Sequence, residues 1–172
     1  YGNGTFIEKF GTACTMNSAG TAPTGGVNGA LCNTSAGGAV VAGDGQFYSP
    51  KDFAIDPSGN IWVADTNNNR IQKFDSSGTF LLKFGSEGCG RIEGGPGIVG
   101  EQYLGKFCNP VSLDFDSSGK LYVADHNNRR IQQFDSSGNY LTSFGGYGTT
   151  DGLFINPHFM TIDTSDYIYV GD

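Results

Sequence analysis

Apolar and polar positions along this chain alternate in short runs. Between residues 51 and 84 four runs of strand length follow one another: Lys51 to Asp56, Asn60 to Asp65, Arg70 to Asp75 and Thr79 to Phe84, all rich in Ile, Val, Phe, Trp or Tyr. They are divided by Pro57-Ser58-Gly59, by Thr66-Asn67-Asn68-Asn69 and by Ser76-Ser77-Gly78. No window of a dozen residues spaces its apolar positions for a helix, and Gly, Pro, Asn or Ser interrupts too often for one to form. Asp56 and Asp75 open turns that Gly59 and Gly78 close: the carboxylate can accept backbone N–H bonds, and glycine supplies the positive φ needed to leave a hairpin. Four strands so joined predict an antiparallel meander. Ile61-Trp62-Val63-Ala64 is apolar on both alternating faces, which predicts a strand sandwiched between two neighbouring sheets.

The pattern is then repeated. Laid without a gap over Pro110 to Gly145, the stretch Pro50 to Gly85 is identical at 20 of 36 positions, and many of the remaining changes keep character, as in Trp62/Tyr122 and Phe80/Tyr140. Gly4 to Gly11 matches the tail of this unit, and Asn156 to Asp172 matches its head. A repeat this short cannot bury its own apolar face, so each copy must lean on a neighbour of its kind. Small four-stranded antiparallel sheets packed face to face around an axis make a β-propeller.

The residues Ser49-Pro50, Ala54-Ile55-Asp56, Gly59 to Asp65, Asn67 to Phe74 and Phe84-Gly85 resemble an NHL repeat, and the second copy restates it with Val123-Ala124-Asp125, Asn127-Asn128 and Arg130-Ile131-Gln132. The resemblance covers about residues 46–172 and implies an all-β propeller whose blades have four strands, usually six to a ring. The expected organisation is a last strand over residues 1–11, a cysteine-stapled insertion over 12–45, complete blades over 46–85 and 106–145, a cysteine-containing insertion over 86–105, and two strands of a further blade over 153–172. Two whole blades and two partial ones cannot close a ring alone. The chain is therefore expected to be an excerpt of a longer propeller, to assemble with copies of itself by strand pairing between chains, or to form an open stack.

With 17 acidic against 10 basic residues the net charge is −7, which repels a phosphate backbone and disfavours the RNA-binding role seen in some NHL relatives. No apolar run approaches membrane-spanning length, so no membrane insertion is expected, and a signal peptide, if one existed, is expected to have been removed. The 28 glycines reflect turns, since the runs between them are strongly apolar. Cysteines fall as two local pairs, and the expected bridges are Cys14 to Cys32 and Cys89 to Cys108, with locality the ground for choosing among three connectivities. Such bridges imply an oxidising, extracellular or cell-surface setting. Two N-glycosylation sequons, at Asn3 and Asn33, agree with export.

In a four-strand meander the turns alternate sides, so the second-to-third-strand turns share a face with the blade connections. Thr66, Asn67, Asn68 and Asn69, with His126, Asn127, Asn128 and Arg129, are therefore expected on one face with both cysteine insertions, and this face is the candidate contact surface for a protein partner, a further copy or a glycan. Asp65 with Arg70 and Asp125 with Arg130 recur at a fixed offset and are expected to be structural ion pairs. Neither a catalytic motif nor a cofactor site is indicated, and one channel histidine, His158, does not make a metal site. The expected function is a non-enzymatic interaction or structural module. The alternative implied by resemblance is a propeller lyase or lactonase-like enzyme with a metal in the central channel.

Overall fold

The computed structural model describes residues 43–90 and 102–172, and the backbone of 12–13, 33–34, 40–41 and 101. Short pieces come first: β1 (Thr12–Ala13), β2 (Asn33–Thr34), β3 (Val40–Val41) and β4 (Gln46–Phe47), with β2 and β3 antiparallel and β1 parallel to β4. Two four-stranded antiparallel meanders follow. The first is β5 (Asp52–Ile55), β6 (Ile61–Asp65), β7 (Arg70–Phe74) and β8 (Phe80–Phe84); the second is β9 (Pro110–Phe115), β10 (Leu121–Asp125), β11 (Arg130–Phe134) and β12 (Tyr140–Gly145). A hairpin of β13 (Phe159–Ile162) and β14 (Ile168–Gly171) begins a third. The chain is thus an all-β array of propeller blades, two complete and one begun by a hairpin; the tail strand expected before residue 12 lies outside the described residues. Both complete sheets break register at the same place, Lys73/Phe74 and Gln133/Phe134.

Each turn between first and second strands is organised by its aspartate. Asp56 Oδ1 accepts from the N–H groups of Ser58 and Asn60, and Gly59 takes φ +83°. The same carboxylate then reaches into the sheet, where Trp62 Nε1 donates to Oδ2 at 2.9 Å and the Lys73 ammonium lies 3.2 Å away. In the second blade Tyr122 donates to Asp116, and Gln133 takes the place of Lys73 by donating to the Tyr122 hydroxyl. In the third, Tyr169 donates to Asp163.

Burial pushes the Asp56 carboxyl up, but hydrogen bonds from Trp62 and Asn60 and the contact with Lys73 outweigh it and hold its pKa at about 2. A folded-state pKa below the ordinary value means stability that is present above about pH 4 and lost as pH falls from there toward 2. We expect Asp56→Asn to remove about 1 kcal/mol of that acid-linked loss, checked by comparing urea midpoints of variant and wild type at pH 5 and at pH 2.5.

The main core lies between the first two blades. Trp62, Ala64 and Ile71 of one sheet meet Leu113, Leu121, Val123 and Phe134 of the next and Phe107 of its lead-in, with Phe84 and Phe115 set edge-on to the indole. A second, smaller core joins Ala124 and Ile131 to Met160. Inner strands are also tied by side chains: Asp52 accepts from Ser112 Oγ and Leu113 N–H, and Asp114 accepts from Thr161 Oγ1 and Ile162 N–H. Gly85 and Gly145 close each outer strand where the next blade's phenylalanine crosses. A β-carbon there would come within 2.5 Å of Phe107 and 2.7 Å of Phe154, and both glycines have positive φ.

Candidate functional site

Two turns, Thr66–Asn68 and His126–Asn128, each form one 3-10 turn and pass through a left-handed residue, Asn69 or Arg129, into the third strand. Asparagine tolerates that conformation; arginine gains nothing from it. The face they form is joined by amides. Asn109 N–H donates to Asn69 Oδ1 at 2.8 Å, and Asn127 Nδ2 donates to Asn109 Oδ1 at 2.6 Å, so Asn109 links the two turns. Beside them Cys89 and Cys108 form a disulfide. In the chain-entropy model, closing a loop of this size stabilises by about 3 kcal/mol. The Cys14 and Cys32 pair, Asn3 and the Asn33 side chain lie outside the described residues.

Two residues of this candidate face point inward. Thr66 is buried and donates to Pro110 O at 2.7 Å, which ties the first blade to the second. Asn128 is buried too: its amide donates to Gly88 O and Asp125 Oδ2 and accepts from Gly90 N–H, so it clamps the disulfide segment and is not offered to a ligand. Asn67 and Asn127 remain exposed, and His126, Asn68, Asn69 and Arg129 are partly so. His126 does not stand alone in its turn. Its ring meets that of His158 edge-on, with the two Nδ1 atoms 3.2 Å apart, and its Nδ1 also lies 3.2 Å from Pro157 O. Among the described residues no three His, Cys, Asp or Glu side chains converge as a metal site would require.

Asp65 and Asp125 are wholly buried hubs. Asp65 Oδ2 accepts from Arg70 Nε at 2.7 Å, Asn68 Nδ2 at 2.9 Å and Gln72 Nε2 at 3.0 Å, while Oδ1 accepts from Tyr48 N–H. Asp125 repeats the arrangement with Arg130, Asn128, Gln132 and Cys108 N–H. The outward ends of these donors grip the segment leading into the same blade: Arg70 donates to Gly43 O and Gln46 O, Arg130 to Tyr103 O and Lys106 O. Gln72 and Gln132 do likewise, and each accepts one N–H back, from Gly45 or Gly105. The pairs Asp65–Arg70 and Asp125–Arg130 thus each sit in one larger network. Its bonds run chiefly within one unit, from its second and third strands to its own lead-in. Burial pushes the Asp125 carboxyl up, and the Arg130 guanidinium opposes it. Gln72 and Gln132 were missed from sequence; a glutamine repeated two residues after each hub arginine, on the same strand face, was the available signal.

A cleft of about 250 Å³ lies on this face, lined by Cys89, Cys108, Asn127, Asn128 and Arg129. Arg129 Nε donates to Ile155 O at 3.1 Å, and its guanidinium stacks over the Tyr147 ring at 4.7 Å.

The two hub-bearing units coincide with matches to the NHL repeat, over residues 47–74 and 107–134. The chain thus carries two NHL repeats. Protein brain tumor of Drosophila melanogaster is 31% identical over 135 residues, covering 59% of this chain and 13% of that protein. NHL repeat-containing protein 3 of Mus musculus is 29% identical over 111 residues, 62% of this chain and 28% of the relative. Peptidyl-glycine alpha-amidating monooxygenase A of Xenopus laevis is 36% identical over 100 residues, 56% of this NHL chain and 10% of the enzyme. The NHL chain thus spans well under a third of the length of each of these relatives. Among solved structures, Kuenenia stuttgartiensis hydrazine synthase matches with TM-score 0.51 over 80% of this chain and 32% of its own, at 12% identity, a likeness of fold alone.

Proposed function

We propose that this NHL chain is a non-enzymatic interaction module of the extracellular space or cell surface, and that it engages further copies of itself through its uncovered sheet faces. One observation carries the reading. Phe53 and Ile55 occupy the positions of Leu113 and Phe115, which pack between blades, yet they are 64% and 58% exposed. At the opposite end Phe159, Tyr167 and Tyr169 are 72%, 67% and 56% exposed, on the face that in the preceding blade receives Met160. The first face has the pattern of the side that docks, and the second the pattern of the side that is docked upon. A face of one kind on one chain therefore matches the other kind on the next, continuing an interface the molecule already builds twice internally. The Cys89–Cys108 bridge supports the oxidising compartment.

Sedimentation velocity across a concentration series tests this. The chain should associate as concentration rises, and Phe53→Asp and Phe159→Asp should each weaken association by about tenfold or more, since each places a charge in an apolar contact. A chain that stays monomeric throughout, or variants that associate as wild type does, would defeat the proposal.

A further inference from the structure

Arg129 departs from the repeat in three ways at once. Its counterpart Asn69 suits the left-handed backbone, whereas Arg129 holds φ +54° without a side chain adapted to it. Its neighbours in kind, Arg70 and Arg130, are consumed by buried aspartates, but among the described residues Arg129 has no ion pair, in a chain of net charge −7. It is nevertheless held still: Tyr147 stacks on one face of the guanidinium and Ile155 O takes the Nε proton, leaving Nη1 and Nη2 bonded to no described residue. Arg129 is also one of the residues lining the cleft, together with the bridged Cys89 and Cys108 and with Asn127, itself fixed by Asn109.

We propose that the cleft receives a carboxylate of a partner polypeptide, bound by Arg129 through its free fork. A planar, permanently charged guanidinium with two parallel donors fits a carboxylate in bidentate fashion. Tyr147 and Ile155 remove much of the entropy loss that a free arginine would suffer on binding. A phosphate would satisfy the same fork, but the chain's net charge of −7 repels a polyanionic nucleic-acid backbone, so a single carboxylate on a peptide is the better match. The inference rests on the reading of the chain as an interaction module but uses a surface separate from the sheet faces, so it stands or falls independently of self-association.

Fluorescence anisotropy on the whole chain decides it with three labelled octapeptides. One carries a single glutamate among glutamines and an amidated C-terminus, one glutamines and a free C-terminus, and one glutamines and an amidated C-terminus. At least one of the first two should bind about tenfold or more tighter than the third, and which one does tells an acidic side chain from a chain terminus. Arg129→Gln should bring binding down to the level of the third peptide, while Arg129→Lys should retain only part of the preference. Tyr147→Leu, which keeps the charge but frees it, should weaken binding several-fold. Equal binding of all three peptides, binding unchanged in Arg129→Gln, or tighter Arg129-dependent binding of an oligothymidylate would overturn the assignment. Unaltered thermal melting of the variants excludes misfolding as the cause of a loss.

Discussion

Asp125→Ala should destabilise the chain by about 3–5 kcal/mol and lower its melting temperature by on the order of 10 °C. The substitution removes one acceptor from four donors at once, those of Arg130, Asn128, Gln132 and the Cys108 N–H, and leaves the Arg130 charge buried without its counter-ion. Arg130→Ala is the converse injury and should be similarly large. The double variant should lose much less than the two single losses combined, because the second change removes a group already left without its partner. Urea unfolding followed by far-UV circular dichroism measures all three. A loss under about 1 kcal/mol for Asp125→Ala would mean that water replaces the carboxylate freely, which its complete burial argues against.

The second large effect is expected at the centre of the core. Trp62→Ala should lose about 3–5 kcal/mol, since it opens a cavity between two sheets that are held by their own hydrogen-bond ladders and cannot collapse into it. It also takes a donor from Asp56 and the ring over which the Lys73 ammonium sits. Trp62→Tyr, the residue that the second unit carries as Tyr122, should lose under about 2 kcal/mol, because in that unit a tyrosine hydroxyl reaches the turn aspartate. Trp62 is the chain's single tryptophan, so its emission reports this core directly in wild type. The emission should be that of an indole shielded from water and should shift to longer wavelength on unfolding.

Strand positions were legible because each strand is local: the run expected at Asn60 to Asp65 is Ile61–Asp65, and the run at Arg70 to Asp75 is Arg70–Phe74. The Asp-to-Gly turns were legible for the same reason, since both the hydrogen bonds and the positive φ arise within five residues. Burial of β6 on both faces followed from its apolar run and is seen in Trp62 and Val63, which point opposite ways. What the chain did not announce is long-range and polar. Nothing in Gln72 as a letter says that it will bond Gln46 O, and nothing in Thr66 says that its hydroxyl will reach Pro110 O. Such partners are chosen by the packing of finished sheets. The same holds for Arg129, whose stacking partner Tyr147 belongs to a connection, and for His126, whose neighbour His158 begins another blade. The Cys89–Cys108 bridge, by contrast, was legible from the nearness of the two cysteines along the chain, and the fold has it.

Because the aspartate hub fastens each unit's lead-in to that unit's own strands, one contiguous stretch of about 60 residues contains both halves of its latch. Copying such a stretch in tandem delivers a working part each time, with no compensating change needed in the copy beside it. The connection ahead of the latch is then free to differ in length, and the step from Phe47 to Phe107 is 60 residues where that from Phe107 to Phe154 is 47.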